Sequence, residues 1–251
     1  MQKRWNFIWK RTAACILCAG LFLTQPALVF AAEDEAIVTA TPVPEHTEAY
    51  KQAPDTDAIA GWPAGPKIEA EAAVLMDLTT DSVLYSKNAD EQLYPASITK
   101  IMTALLACEN LDTKQKITMS QEAAFGIESG SSSIYADTDE VFTVEQALMA
   151  LMLESANEIA LALAEEVSGS VKKFTELMNQ RAVQLGCTNT HFNNPHGLPD
   201  ETHYTSASDM AKIAKAAWFN PSFANSPQRV YTKFRLQTSS RKPVICLIIT
   251  R

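Results

Sequence analysis

The chain has 251 residues, of which 47% are apolar and 20% are charged, and its formal net charge is −8. This composition allows a sizeable apolar core and excludes a disulfide mini-protein, a collagen-like chain and a wholly disordered chain. The acidic balance argues against nucleic acid as a partner, because a non-specific binder needs a basic face. The charge is uneven: residues 1–32 hold four bases and no acid, residues 33–225 hold 11 bases and 29 acids, and residues 226–251 hold six bases and no acid.

Residues 1–32 have the order of a secretory signal peptide, in which a basic segment precedes a short apolar run and then small residues around Ala31. The alternative is an uncleaved N-terminal anchor, although the run 12–23 is short for a membrane span. A lipoprotein signal is not predicted, because neither Cys15 nor Cys18 has a leucine three residues before it. We therefore expect an exported protein that works outside the cytoplasmic membrane, in the periplasm or cell wall.

The cysteines and histidines give no sign of a metal site. Three cysteines would remain after signal cleavage, and we interpret them as isolated, small, buried residues: Cys108, Cys187 and Cys246. The four histidines form no HExxH or Cys/His ligand pattern: His46, His191, His196 and His203. We expect neither a metal nor another cofactor.

The mature chain begins with an acidic, Pro-bearing stretch over residues 33–66, which predicts a flexible spacer. Two apolar runs follow from Ala72, separated by Thr79–Asp81, and predict a β-hairpin. From Pro95 onward apolar residues recur at helical spacing. A hairpin needs further strands to cover its edges, yet none is convincing before residue 225.

Capping signals place the later helices. The pair Thr143 and Gln146 forms a capping box, and residues 154–157 interrupt the helix that it begins. Ser170 can cap the next long helix, with Gly186 as its stop. One more apolar helix face runs from Met210 to Trp218, so the predicted fold class is α/β of the α+β kind, a strand pair followed by a mostly helical body.

Ser97-Ile98-Thr99-Lys100 lies at the start of the first strong helix. Residues three apart share a helix face, so the hydroxyl and the amine can meet, and a neutral amine can serve as the base for a serine nucleophile. The S-x-x-K pattern also occurs at 170–173 and 239–242, but only Ser97 has a Pro-Ala lead-in and an apolar helix behind it.

Ser155-Ala156-Asn157 lies at the break between two predicted helices, where a hydroxyl and an amide can point into a cleft. The S-x-N pattern is weak alone, since residues 86–88 also match it, and Ser155 can equally be a cap for the following helix. The order and separation of the two motifs, each at a helix boundary, are harder to obtain by accident.

Together YPASITKIMTALLA and ESANEIALALAE resemble the low-molecular-mass penicillin-binding proteins, which are serine D-alanyl-D-alanine carboxypeptidases with S-x-x-K, S-x-N and K-T-G motifs. GSSSI at 130–134 and the stretch NTHFNNPHGLPDETHYTSASDMAKIA look like the same family. The resemblance covers residues 66–225. It implies a β-lactamase/transpeptidase-like fold, with a helical cluster against an antiparallel sheet and the active site between them.

The resemblance also implies a role for each motif residue. Ser97 is the expected nucleophile, its backbone N–H half of an oxyanion hole, and Lys100 is the expected base. Ser155 would relay protons near the leaving group, and Asn157 would bind the substrate amide and help to hold Lys100. The substrate would be a peptidoglycan stem peptide ending in D-Ala-D-Ala, with β-lactams as covalent inhibitors. We assign no catalysis to His196 and His203, since a structural role in a turn is commoner.

The third motif is missing, because none of the eight glycines follows a basic residue and a Ser or Thr. In the family this motif binds the substrate carboxylate and supplies the other oxyanion donor, and loss of one such donor costs ~10²–10³ in rate. We interpret residues 67–225 as an incomplete catalytic domain and the basic tail 226–251 as frameshifted or otherwise non-homologous. The alternative is a natural short variant. Family members attach peripherally to the membrane, and the tail lacks their amphipathic anchor.

Three functions remain open on this basis. The first is a D-Ala-D-Ala carboxypeptidase, with activity weakened or abolished by the missing motif. The second is a non-catalytic remnant or wall-peptide-binding protein. The third is a β-lactamase of related fold, which the NPHGL region and the segment between Ser97 and Ser155 disfavour.

Overall fold

A computed structural model describes residues 46–225 and the backbone of residues 244–249. The predicted signal peptide, the first part of the predicted spacer, Cys15, Cys18 and the S-x-x-K match at 239–242 lie outside the described residues. The side chain of Cys246 also lies outside them.

Among the described residues, the main sheet has three antiparallel strands. The predicted hairpin is confirmed: β1 (Ala72–Asp77) pairs with β2 (Val83–Lys87), and Ala73 lies opposite Lys87. The other edge of β1 pairs with β5 (Val244–Ile249), so the strand order is β2-β1-β5. β1 is apolar and buried along most of its length, which suits its position as the central strand of this sheet.

The third strand comes from the basic tail. Along β5 the backbone pairs with β1 from Ala72 opposite Ile249 to Asp77 opposite Val244. The prediction of a non-homologous tail over residues 226–251 does not anticipate this pairing. The pairing arises because Val244–Ile249 is an uninterrupted apolar run rich in β-branched residues, a composition that favours a strand.

A second, smaller sheet was not predicted from the sequence. It consists of β3 (Lys116–Thr118) and β4 (Val141–Thr143), paired antiparallel with Ile117 opposite Phe142. Each strand has three residues, which is too short to show a period-two pattern. The expectation of no further convincing strand before residue 225 is therefore wrong for β3 and β4.

The helices follow the order predicted from the sequence, and the most buried of them is apolar on most of its faces. Nine of the eleven residues of the helix after Ser97 are buried, so this helix is the core of the helical cluster. The capping box at Thr143 and the cap at Ser170 are both confirmed. The helices are α1 (Glu48–Lys51), α2 (Lys100–Asn110), α3 (Gln121–Phe125), α4 (Val144–Leu153), α5 (Asn157–Ser168), α6 (Val171–Gln184), α7 (Ala207–Phe219) and α8 (Pro221–Asn225).

Packing of α7 on β1 and β5 joins the helical cluster to the sheet, while α2 contacts α4, α5, α6 and α7. The predicted fold class, a helical cluster against an antiparallel sheet, is confirmed. Cys108 and Cys187 are buried free thiols, as expected of isolated core residues. In the part of the chain that the structure describes, no helix has the length and apolarity needed to span a membrane.

Residues 46–66 differ from the flexible spacer predicted for 33–66. Thr47 caps α1, and Trp62 donates from Nε1 to the carbonyl of Leu84 at 3.1 Å. Lys87, which is 1% exposed, donates from Nζ to the carbonyl of Ala49 at 2.5 Å. This segment therefore lies against β2, held by side-chain to main-chain bonds that leave no periodic trace in the sequence.

Candidate active site

Ser97 and Lys100 lie where the chain enters α2. A 3₁₀ turn over Ala96–Thr99 precedes the helix, and Ala96 has a φ of +48°, a left-handed conformation that alanine rarely adopts. The turn leaves Ser97 exposed while Lys100 is 2% exposed. Lys100 Nζ lies 3.3 Å from Ser97 Oγ, so the predicted meeting of the amine and the hydroxyl is present.

Ser155 joins this pair from the break between α4 and α5. Its φ of +58° turns the chain sharply, and its Oγ donates to Ser97 Oγ at 3.0 Å. The alternative that Ser155 caps the following helix is wrong, because the N-cap position is Ala156 and α5 has no side-chain cap bond. Left-handed non-glycine residues cost about 1–3 kcal/mol and cluster at functional sites. Two such residues lie at this site: Ala96, which directly precedes Ser97, and Ser155 itself.

The environment of Lys100 favours a partly neutral amine. Burial lowers the pKa of Lys100 to about 8, while the negative charge of Glu158 acts in the opposite direction. Nζ also donates to the main-chain carbonyl of His196 at 2.7 Å. This hydrogen bond directs one N–H of Lys100 away from Ser97 and holds Nζ beside the Ser97 hydroxyl.

The His196 carbonyl belongs to a loop that is pinned to α2. Thr103 Oγ1 donates to the Pro195 carbonyl at 2.6 Å, and Thr99 Oγ1 lies 2.9 Å from Nε2 of His203. The Asn193 N–H donates to Nδ1 of His203 at 3.0 Å, so the ring proton is on Nε2 and is donated to Thr99.

Both histidines of this loop are neutral. Burial, as the largest cause, lowers the pKa of His196 and of His203 to about 4 in each case. The charge of Lys100 contributes to the lowering at His196. Their ring nitrogens hydrogen-bond to Thr99, Asn193 and Leu198, which supports a structural role in the loop rather than a catalytic one.

Asn157 is the first residue of α5 and is 3% exposed. Its backbone N–H donates to the carbonyl of Ser132 at 2.9 Å, which attaches the GSSSI loop to the helix. Among the described residues, the hydrogen bonds of Lys100 Nζ go to Ser97 and His196. No hydrogen bond from Lys100 to Asn157 is among these, so the implied help of Asn157 in holding Lys100 stays a prediction.

A cavity of about 320 Å³ opens above Ser97. Asn157, the loop 130–132 and the loop 196–199 line it together with Ser97, so these segments share one cleft. Within residues 46–225, no group of three or more His, Cys, Asp or Glu side chains is arranged to hold a metal ion.

Residues 59–236 match the model of the D-alanyl-D-alanine carboxypeptidase family. The chain belongs to this family. The match is wider at both ends than the resemblance over 66–225 that the motifs predict, and it extends into the basic tail. The predicted boundaries of signal peptide, spacer, catalytic domain and tail stay predictions.

Curated relatives match about three fifths of the chain. The chain is 46% identical over 150 residues to D-alanyl-D-alanine carboxypeptidase DacF of Bacillus subtilis, which covers 59% of this chain and 38% of that protein. It is 36% identical over 153 residues to DacA of Haemophilus influenzae, which covers 59% of this chain and 39% of that protein. The chain thus spans about two fifths of the length of these relatives.

Solved structures show the same fold. D-alanyl-D-alanine carboxypeptidase DacD from Francisella tularensis superposes with a TM-score of 0.62 at 36% identity, covering 69% of this chain and 42% of that one. Penicillin-binding protein 5 from Haemophilus influenzae gives 0.63 at 30% identity, covering 72% of this chain and 53% of that one.

The two other motif matches that fall within the described residues lie away from the cleft. Ser170 is the N-cap of α6 and accepts from the backbone of Lys173, while Ser86 donates to Asp55 beside the sheet. Two contributors were not identified as site residues from the sequence: the His196 carbonyl and the Glu158 carboxylate. A main-chain carbonyl can belong to any residue type, so the sequence holds no signal for it. Glu158 directly follows the S-x-N motif, and this position next to the motif is a signal that the sequence does hold.

Proposed function

We propose that this chain is a serine D-Ala-D-Ala carboxypeptidase that removes the terminal D-Ala of peptidoglycan stem peptides through an acyl-enzyme on Ser97. One observation carries the proposal: Ser97 Oγ lies within hydrogen-bond reach of both Lys100 Nζ and Ser155 Oγ, beside an open cavity. Family membership supplies the class of substrate. In this proposal Ser97, Lys100 and Ser155 are catalytic and Asn157 binds substrate.

Acylation begins when neutral Lys100 takes the proton of Ser97. The Oγ then forms a bond to the carbonyl carbon of the penultimate D-Ala, and the carbonyl π-electrons move to oxygen. Collapse of this tetrahedral intermediate breaks the C–N bond. The departing amine of D-Ala receives a proton from the hydroxyl of Ser155, which lies 3.0 Å from Ser97 Oγ. Lys100, protonated in the first step, then returns a proton to Ser155, so both groups regain their starting states.

Deacylation uses the same groups in reverse. Lys100 takes a proton from water, the resulting hydroxide attacks the ester carbon, and Ser97 leaves with a proton returned by Lys100. The backbone N–H of Ser97 is a donor for the oxyanion in both steps. Asn157 lies in the cavity wall next to Ser97, where its side-chain amide suits the peptide bonds of an extended substrate.

The same proposal gives the partners and the location. The partner is the stem peptide of peptidoglycan, and β-lactams are covalent inhibitors because their ring amide resembles the scissile bond and is attacked by the same serine. The protein acts outside the cytoplasmic membrane in cell-wall biogenesis, as the N-terminal signal pattern favours.

Labelling with a fluorescent penicillin tests the proposal. We expect one covalent label per chain in the wild type and none in Ser97→Ala. Ser170→Ala is a matched control, because Ser170 also precedes a lysine by three residues but caps α6 outside the cleft. Label that persists in Ser97→Ala overturns the nucleophile assignment, and a folded wild type that takes no label supports the remnant.

A further inference from the structure

Glu158 is a buried carboxylate beside the site that the mechanism above does not use. It is the second residue of α5 and is 0% exposed. Its Oε1 accepts two hydrogen bonds, from Ser133 Oγ at 2.7 Å and from the Ile134 N–H at 2.7 Å. Its Oε2 is also buried and has no hydrogen-bond partner among the described residues. Such an oxygen is costly, so the position calls for an explanation beyond packing.

The two bonds to Oε1 hold the same loop that Asn157 holds. Asn157 N–H donates to the Ser132 carbonyl at 2.9 Å, so three successive residues, 132–134, are attached to the first turn of α5. Residues 130–132 line the cavity together with Ser97. The loop begins after Gly130, whose φ is +83°, and the three attachments hold residues 132–134 against α5.

We propose that Glu158 is a positioning residue of this site, whose carboxylate clamps residues 132–134 to α5 and so fixes the cavity wall next to Ser97. The consequence for acylation rests on the proposed function, whereas the clamp itself does not.

The charge of Glu158 has a second effect within the cleft. The groups that face Lys100 are the Ser97 hydroxyl, the His196 carbonyl with its neutral ring, and Glu158 from α5. Glu158 supplies the negative charge among them, and it opposes the effect of burial on the pKa of Lys100. Removal of this charge therefore lowers the pKa of Lys100 further and shifts the titration of the base to lower pH.

Two substitutions separate the clamp from the charge. Glu158→Gln keeps an acceptor oxygen for the loop and removes the charge, while Glu158→Ala removes both. Glu165→Gln and Glu165→Ala are matched controls on the same helix: Glu165 accepts from Ser120 Oγ at 2.7 Å, and it does not line the cavity. Ser133→Ala weakens the clamp from the loop side and serves if Glu158→Ala does not fold.

Three measurements are made on the full chain. The first is amide hydrogen exchange at Ile134, and the third is the rate of labelling by penicillin. The second is an NMR titration of chain labelled with [ε-13C]lysine, in which the Lys100 signal is identified by its loss in Lys100→Arg. We expect Glu158→Ala, and to a lesser degree Ser133→Ala, to speed exchange at Ile134 by about tenfold. We expect Glu158→Gln to lower the midpoint of Lys100 by on the order of one pH unit. The Glu165 variants should change neither.

Exchange at Ile134 that is no faster in Glu158→Ala and Ser133→Ala than in the Glu165 variants overturns the clamp. An unshifted Lys100 midpoint in Glu158→Gln overturns the electrostatic role. A wild type that takes no penicillin, while exchange and titration respond as expected, supports the clamp and refutes the proposed function instead, so the two failures are distinguishable.

Discussion

Gly197 is the point where the loop that orients Lys100 touches the turn that carries Ser97. Its φ is +92°, a conformation that disfavours any side chain. A Cβ at this position would lie 1.9 Å from the carbonyl oxygen of Ala96 and 3.0 Å from Oγ1 of Thr99. We therefore predict that Gly197→Ala forces the loop away from the start of α2.

The cost of this substitution has two parts. A left-handed backbone costs alanine about 1–2 kcal/mol, and overlap in a packed region adds about 1–3 kcal/mol. The free energy of unfolding should therefore fall by about 2–5 kcal/mol. Gly169 and Gly186 are matched controls, since their φ values are +75° and +77° and a Cβ at either would meet nothing within 4 Å. Their alanine variants carry only the first part of the cost.

The site should respond as well as the stability. The residue before Gly197 is His196, whose carbonyl accepts from Lys100 at 2.7 Å, and a displacement of about 1 Å breaks that bond. We expect slower penicillin labelling in Gly197→Ala and unchanged labelling in Gly169→Ala and Gly186→Ala. Urea denaturation measures the first effect and labelling kinetics the second. Equal stability and equal labelling in all three variants would refute the close approach.

The pKa of Lys100 is about 8, and the neutral amine is the base. The rate of penicillin labelling should therefore rise as the pH increases from 6 and level off above 8. A rate that is independent of pH over this range contradicts the role of Lys100 as the base. Lys87→Met should lower the free energy of unfolding by about 2–4 kcal/mol, because the buried ammonium donates to three main-chain carbonyls that would lose their partner. Lys51→Met, which breaks an exposed ion pair with Glu48, should change it little, and urea denaturation compares the two.

The parts of the fold that could be predicted are those with local chemical signals. The helix from Val144 begins at a capping box, and the helix from Val171 begins at a serine cap; both signals are local in sequence. The hairpin was visible as two apolar runs around a turn. The pairing of Ser97 with Lys100 followed from their spacing on one helix.

What escaped prediction depends on contacts between distant segments. Residues 46–66 have the composition of a spacer, yet Lys87 and Trp62 bind this segment and β2 together. The role of Ser155 was ambiguous because a cap and a cleft residue share the same sequence, and only its φ of +58° decides between them. Main-chain acceptors such as the His196 carbonyl carry no side-chain signature.

The strength of the base in this site is therefore set largely outside the motif that contains it. Burial under the 193–198 loop lowers the pKa of Lys100, and Glu158, three residues beyond Ser155, raises it. Because these effects oppose one another, the pKa of about 8 is a balance that either segment can move. A chain can thus keep S-x-x-K and S-x-N intact and still have a base with a different pKa if the 193–198 loop or Glu158 is displaced. This is why the Gly197 and Glu158 variants are sharper tests of the site than substitution of Lys100 itself.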